Sequence, residues 1–210
     1  HSALQLRHTD NVMKALLLID LQNDFLPGGA LAVSDGDQVI PLANQMMADY
    51  RLVIATQDWH PSDHGSFASQ HDGKEVGDMI RLDGLDQVLW PDHCVQGTPG
   101  ASFASHLDVS RIDQVIRKGT DRDIDSYSGF FDNARRKATE LDDYLRRNDV
   151  DEVHLIGLAT DYCVKFTALD AIDLGFRTCV YRDGVRGVDL HPGDCEQSLA
   201  EMQTAGVSIV

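Results

Sequence analysis

Apolar runs of strand length alternate along this chain with segments of helical period. Lys14 to Asp20 is nearly continuous in Ala, Leu and Ile, as expected of a strand covered on both faces. Val39 to Tyr50 carries Ile40, Ala43, Met46 and Met47 at helical spacing, with Pro41 admissible in the first turn. Further strands are expected at Arg51–Thr56, Gln114–Lys118, Glu152–Gly157, Arg177–Arg182 and Val207–Val210. Further helices are expected at Thr139–Arg147, Tyr162–Leu174 and Asp194–Ala205. Thr139 suits an N-cap, and Gly175 suits a stop just past the Tyr162–Leu174 helix.

Strand–helix–strand repetition with buried strands predicts an α/β fold: a three-layer α/β/α arrangement around a central, mainly parallel six-stranded sheet. Such sheets bind their ligands beyond the carboxyl ends of the strands. The rhythm breaks once. Residues 57–113 separate the second strand from the third without a convincing long helix, and so long a stretch in a compact domain is usually functional. Residues 13–210 are expected to form one domain carrying this insertion. Residues 1–12 are polar and aperiodic and read as a leader or cloning remnant.

Composition narrows the partners. Thirty-four acidic against eighteen basic residues leave a formal charge of −16, which argues against nucleic acid and anionic membranes. The longest strictly apolar run, Ala15 to Ile19, is five residues, far too short to span a bilayer. Cys94, Cys163, Cys179 and Cys195 have no framework spacing and suit a reducing cytoplasm.

Three polar residues stand where apolar strands end. Asp20 closes the first, Lys118 closes the third, and Cys163 follows the fourth after Gly-Leu-Ala-Thr-Asp-Tyr. A parallel sheet puts these ends on one edge, where an acid, an amine and a thiol converge. Cys163 is expected in the first turn of a helix, whose free amides and dipole favour a thiolate, and a nearby lysine lowers its pKa further. The same amides bind the oxyanion of a tetrahedral adduct, and Asp20 carries protons. The plainer alternative is a structural ion pair beside an inert thiol. It fits each residue alone, but not the coincidence of three.

Asp58-Trp59-His60, with His64 nearby, and Trp90-Pro91-Asp92-His93-Cys94 form a second constellation. Residues i and i+2 of an extended segment point the same way, so Asp58 and His60 can grip one ion, with His93 as a third ligand. Two imidazoles and a carboxylate suit Zn²⁺, Fe²⁺ or Mn²⁺ and leave coordination positions open. His64 and Cys94 are rival ligands; His71 and His106 read as solvated. Phe25, Trp59, Trp90 and Tyr127 adjoin these polar groups as candidate walls for a small flat ligand.

The chain carries Leu18-Ile19-Asp20-Leu21-Gln22-Asn23-Asp24-Phe25, Pro27-Gly28-Gly29-Ala30-Leu31, Thr56-Gln57-Asp58-Trp59-His60-Pro61 and His64-Gly65-Ser66-Phe67. It continues with Trp90-Pro91-Asp92-His93-Cys94, Gln96-Gly97-Thr98-Pro99-Gly100, Arg117-Lys118-Gly119, Asp125-Ser126-Tyr127-Ser128-Gly129-Phe130 and Gly157-Leu158-Ala159-Thr160-Asp161-Tyr162-Cys163-Val164. In these motifs, over nearly all of Lys14–Val210, it resembles the nicotinamidases of the isochorismatase-like cysteine hydrolase superfamily. The metal motifs separate that group from members lacking a metal, and Cys163 separates it from isochorismate hydrolases. The resemblance implies a catalytic triad of Asp20, Lys118 and Cys163, and an oxyanion hole from the amides of Ala159 and Cys163. It also implies a cis peptide bond at Leu158–Ala159, one divalent ion, usually zinc, on Asp58, His60 and His93, and a pyridine ring held by Phe25, Trp90 and Tyr127. His64 matches a position that ligates in some members and only supports metal-bound water in others. The implied activity is hydrolysis of nicotinamide to nicotinate and ammonia in NAD salvage, with pyrazinamide as a further substrate, by a cytoplasmic enzyme for which a homo-oligomer is an open alternative. Two rivals stand beside it: a sister amidohydrolase for carbamoyl substrates, and a flavodoxin-like binding module. The latter would want a phosphate-binding glycine loop, and Pro27-Gly28-Gly29 lacks the required spacing.

Overall fold

Lys14–Ile19 (β1) is buried from its second residue onward, and its side chains divide between two cores by the two-residue period of a strand. Leu17 and Ile19 pack with Ile54, Ile116, Leu145, Ala168 and Met202 on one face; Leu16 and Leu18 pack with Val53, Ile40, Ala43 and Met47 on the other. A strand apolar on both faces needs cover on both faces, which is why this sequence builds three layers. The computed structural model describes residues 12–210, so the leader expected over 1–12 lies, apart from Val12, outside the described residues.

In chain order the elements are β1, α1 (Val39–Met47), β2 (Leu52–Asp58), β3 (Met79–Leu82), β4 (Leu85–Val88) and β5 (Gln114–Lys118). Then follow α2 (Leu141–Arg147), β6 (Glu152–Leu158), α3 (Lys165–Asp173), β7 (Arg177–Arg186), α4 (Asp194–Ala205) and β8 (Ser208–Ile209). Six strands form one sheet in the order β5-β2-β1-β6-β7-β8, with every pairing parallel. Helix α1 supplies one outer layer; α2, α3 and α4 supply the other. The chain leaves β1 toward β2 and β5, then crosses back to β6 on the other side. That reversal opens a crevice at the carboxyl ends of β1, β2 and β6, where open α/β sheets hold their ligands.

The sequence-based boundaries hold to within a few residues, and the deviations have local causes. Strand β2 runs on to Asp58 because its last residues pair with β5, Asp58 opposite Lys118. Strand β7 runs past Arg182 to Arg186, with an irregular register against β6. The helix expected from Tyr162 begins instead with a wide turn over Thr160–Val164 before α3. Thr139 lies two residues before α2, where its hydroxyl accepts the Leu141 N–H at 3.2 Å. The long stretch after β2 holds a feature that periodicity missed, the antiparallel hairpin β3–β4. Its turn is Asp83-Gly84, both at positive φ, a strong hairpin signal overlooked because each strand has only four residues.

Gly157 has φ +133° where β6 runs beside β1, and a β-carbon there would lie 2.2 Å from the Ile19 carbonyl oxygen. Gly157→Ala is therefore expected to lower the unfolding free energy by more than ~1 kcal/mol. Urea denaturation checks this, and an unchanged midpoint would show that the two strands separate freely at this point.

Candidate active site

The end of each central strand delivers one reactive side chain to the crevice. Asp20 leaves β1 at φ +51°, a left-handed conformation that Asp tolerates better than most residues. Thr56, on β2, ties it at both ends: its hydroxyl donates to Asp20 Oδ1 at 2.7 Å and accepts the Asp20 N–H at 3.1 Å. Lys118, the last residue of β5, has a fully buried side chain. Its ammonium lies 2.9 Å from Asp20 Oδ2 and 2.5 Å from Asp58 Oδ1. It also donates to the Ser126 carbonyl at 3.0 Å and to Cys163 Sγ at 3.3 Å. Cys163 sits in the wide turn that starts the α3 segment. One carboxylate oxygen of Asp20, one of Asp58 and the Cys163 sulfur lie within 4.8 Å of one another. Acid, amine and thiol do meet.

Beside them, donor atoms of Asp58, His60 and His93 also gather within 4.8 Å. Asp58 Oδ2 is 3.5 Å from His60 Nε2 and 3.9 Å from His93 Nε2. Carbonyl oxygens hold the opposite ring nitrogens, Gly119 O to His60 Nδ1 at 2.6 Å and Pro91 O to His93 Nδ1 at 2.8 Å. A carbonyl only accepts, so each Nδ1 carries a proton and each Nε2 turns its lone pair toward Asp58. Among the described residues, His60 Nε2 is buried with no hydrogen-bond partner. An orphaned imidazole nitrogen, a second free one and a carboxylate suit a divalent cation, so the donor set fits a metal. Gly119 is required here, since it has φ +65° and a β-carbon would lie 2.4 Å from the His60 ring. Gln22 holds the backbone of Asp58, giving its amide N–H to Asp58 O and accepting the Asp58 N–H at 2.9 Å.

The rival ligands go elsewhere. His64 Nδ1 faces Ser66 Oγ at 2.7 Å, and its Nε2 faces the Ile124 carbonyl at 3.2 Å. It groups with His60 and Asp125 rather than with Asp58 and His93. Cys94 is buried outside both groups, its N–H held by Asp24. His106 is exposed as expected, whereas His71 is half-buried, because its ring binds the Gly65 carbonyl.

Phe25, Trp90 and Tyr127 line one slot with Asp58, His93 and Cys163, and Ala159 borders it. The Leu158–Ala159 peptide is cis. Trp59 is not a wall. It turns to the outside of β5, where the Arg117 guanidinium lies 3.8 Å over its ring. Sequence reasoning missed Leu31, Val33, Asp125, Tyr162 and Val188, which complete the lining. Tyr162 packs edge-on to Trp90, with ring centroids 5.0 Å apart. Its only signal was its place beside Cys163.

Electrostatics correct one expectation. Burial pushes the Cys163 thiol well above its ordinary pKa; Lys118 pulls it down, but Asp20 and Asp58 add to the rise. That direction runs against the thiolate that a helix terminus and a lysine suggested. Burial likewise raises Asp20 against the pull of Lys118. Asp58 meets the same burial, yet Lys118 and the two imidazoles outweigh it and hold the carboxyl well below its usual range. Burial alone would lower Lys118, but the two carboxylates keep it charged. Burial and His60 bring His93 down to about 4, leaving it neutral. At His60 burial is overruled by Asp58, whose carboxylate raises the imidazole pKa.

The isochorismatase domain model matches residues 14–210. A nicotinamidase of Escherichia coli K12 is 52% identical over 200 residues, covering 93% of each chain. A solved nicotinamidase/pyrazinamidase structure of Acinetobacter baumanii superposes with a TM-score of 0.91 at 45% identity, covering 94% of this chain and 95% of that one. A Pyrococcus horikoshii pyrazinamidase solved in complex with zinc has a TM-score of 0.76 at 40% identity, covering 94% and 98%.

His93→Ala is expected to abolish stoichiometric metal and His64→Ala to retain it. Elemental analysis of the purified variants decides; metal lost equally from both would make His64 a ligand.

Proposed function

The chain belongs to the isochorismatase family, and from that premise we propose a reaction in which Cys163, Asp20 and Lys118 hydrolyse nicotinamide to nicotinate and ammonia. The enzyme is an amidohydrolase acting on nicotinamide. The observation that carries the assignment of roles is the approach of the Asp20 and Asp58 carboxylates and the Cys163 sulfur to within 4.8 Å, on a slot walled by aromatic rings.

Phe25, Trp90 and Tyr127 hold the flat ring. Asp58, His60 and His93 would hold one divalent cation, zinc in our reading, which would supply a Lewis-acidic anchor for the pyridine ring. The donor set also suits Fe²⁺ or Mn²⁺. Asp20 takes the proton of the Cys163 thiol as the sulfur bonds to the carboxamide carbon. The displaced electron pair rests on oxygen, where the Ala159 and Cys163 amides receive it. When the adduct collapses, Asp20 gives that proton to the departing nitrogen, and ammonia leaves a thioester behind. Asp20 next takes a proton from water, whose oxygen adds to the same carbon. The carbon–sulfur bond breaks, and the proton returns to sulfur. Lys118 changes no bond; its fixed charge keeps Asp20 and Asp58 tolerable side by side.

We read residues 13–210 as one hydrolase unit, feeding nicotinate to pyridine nucleotide synthesis and accepting pyrazinamide. No helix among the described residues is long and apolar enough to cross a membrane. The four free cysteines suit a reducing cytoplasm. A carbamoyl-directed amidohydrolase would use the same triad, but the orphaned His60 Nε2 beside a free His93 Nε2 favours a ligand set built around a metal.

Ammonia release from nicotinamide is the direct test, with and without a chelator. Activity is expected with the metal-loaded protein and a large loss after chelation; absence of ammonia from the loaded protein would refute the assignment. Cys163→Ala is expected to abolish turnover, and an intact rate would exclude the thioester. Asp20→Asn is expected to lower kcat by at least ~10²–10⁴-fold, since one carboxylate serves both halves of the reaction. A mild loss, read by single-turnover kinetics, would assign proton transfer to another group.

A further inference from the structure

Gln87 is out of character for its place on the hairpin. On β4 its neighbour Asp86 is exposed and Val88 half-buried, yet Gln87 is only 3% exposed. Its Nε2 lies 2.7 Å from the Val88 carbonyl, 3.2 Å from the Tyr127 hydroxyl and 3.4 Å from Asp125 Oδ2. A carbonyl and a carboxylate only accept, which identifies the amide atom facing them as the nitrogen. The indole Nε1 of Trp90, a donor only, also lies 3.2 Å from the Tyr127 hydroxyl. Among the described residues, both hydrogen-bond partners of that hydroxyl are therefore N–H groups, and its oxygen is the acceptor. The phenolic proton is committed to neither of them, while the Tyr127 side chain lines the slot beside Trp90 and Cys163.

We propose that Gln87 is a positioning residue for substrate: with Trp90 it holds Tyr127 so that the phenol serves as a hydrogen-bond donor to a lone pair of the bound heteroaromatic carboxamide. The inference rests on the nicotinamide reading above and extends it from the ring's aromatic walls to a polar contact that orients it. A hairpin that contributes no catalytic group thereby acts on the site through one amide. Burial, reinforced by Asp125, keeps the Tyr127 phenol well above its ordinary pKa, so the donor stays protonated through the assay range.

Steady-state kinetics on nicotinamide with wild type, Gln87→Leu, Tyr127→Phe and the double variant test this, with metal content and melting temperature recorded for each. Each single variant is expected to raise KM about tenfold, the scale of one lost buried hydrogen bond, with kcat within about twofold and wild-type metal content. The double variant is expected to be no worse than Tyr127→Phe, because Gln87 acts only through the hydroxyl. Gln87→Met, which keeps the length and lacks the amide, repeats the test if leucine packs poorly. An unchanged KM in the Gln87 variants overturns the proposal. So do KM effects that multiply in the double variant, or a loss seen only in kcat and thermal stability. Wild-type protein that releases no ammonia would instead refute the nicotinamide reading, and normal wild-type turnover with indifferent Gln87 variants refutes this inference alone.

Discussion

Lys118 carries its ammonium where water does not reach it, and a charge buried so deeply is tolerable only among close opposite charges and acceptors. Asp20, Asp58 and the Ser126 carbonyl supply them, with the Cys163 sulfur as a fourth neighbour. The dependence runs both ways. Two buried carboxylates so close together could not both stay ionised without a cation between them. Asp58 joins the two halves of the site, since one of its oxygens faces Lys118 and the other faces the imidazoles. The proposed proton chemistry and metal binding thus share one electrostatic cluster.

That cluster also sets the direction in which the Cys163 thiol is shifted. Burial and the Asp20 and Asp58 carboxylates raise the pKa of the Cys163 thiol, and Lys118 pulls it down. Asp20, itself pushed toward protonation by burial, is suited to take the proton and to return it.

The loops around the crevice hold the site in shape with backbone-directed side chains. Gln22 pins Asp58, and Asp24 accepts the Cys94 N–H at 2.8 Å, beside the His93 position. Gly100 packs so closely on Asp24 that a β-carbon there would overlap its carboxylate. These contacts join segments distant in sequence, so the apparently structureless stretch after β2 is ordered by what it encloses.

Apolar runs alternating with segments of helical period were enough to place the main strands, the helices and the parallel sheet, because burial on both faces of a strand writes itself into composition. Strand-end polar residues and the Asp-x-His pair marked the groups that the fold brings together as the candidate triad and metal ligands. Three things were not legible. The acidity of Cys163 depends on how much water the fold removes and how many carboxylates it brings near, neither of which is local. Trp59 and Tyr162 look alike in sequence as aromatic neighbours of reactive residues, and only the direction of each side chain puts one outside and the other in the slot. Gln87 lies on a four-residue strand in an insertion, with nothing beside it in sequence to show that it meets Tyr127. Local pattern determines which elements form and which residues cap them; distances between groups far apart in the chain, and the dielectric around them, exist only after the chain has closed on itself.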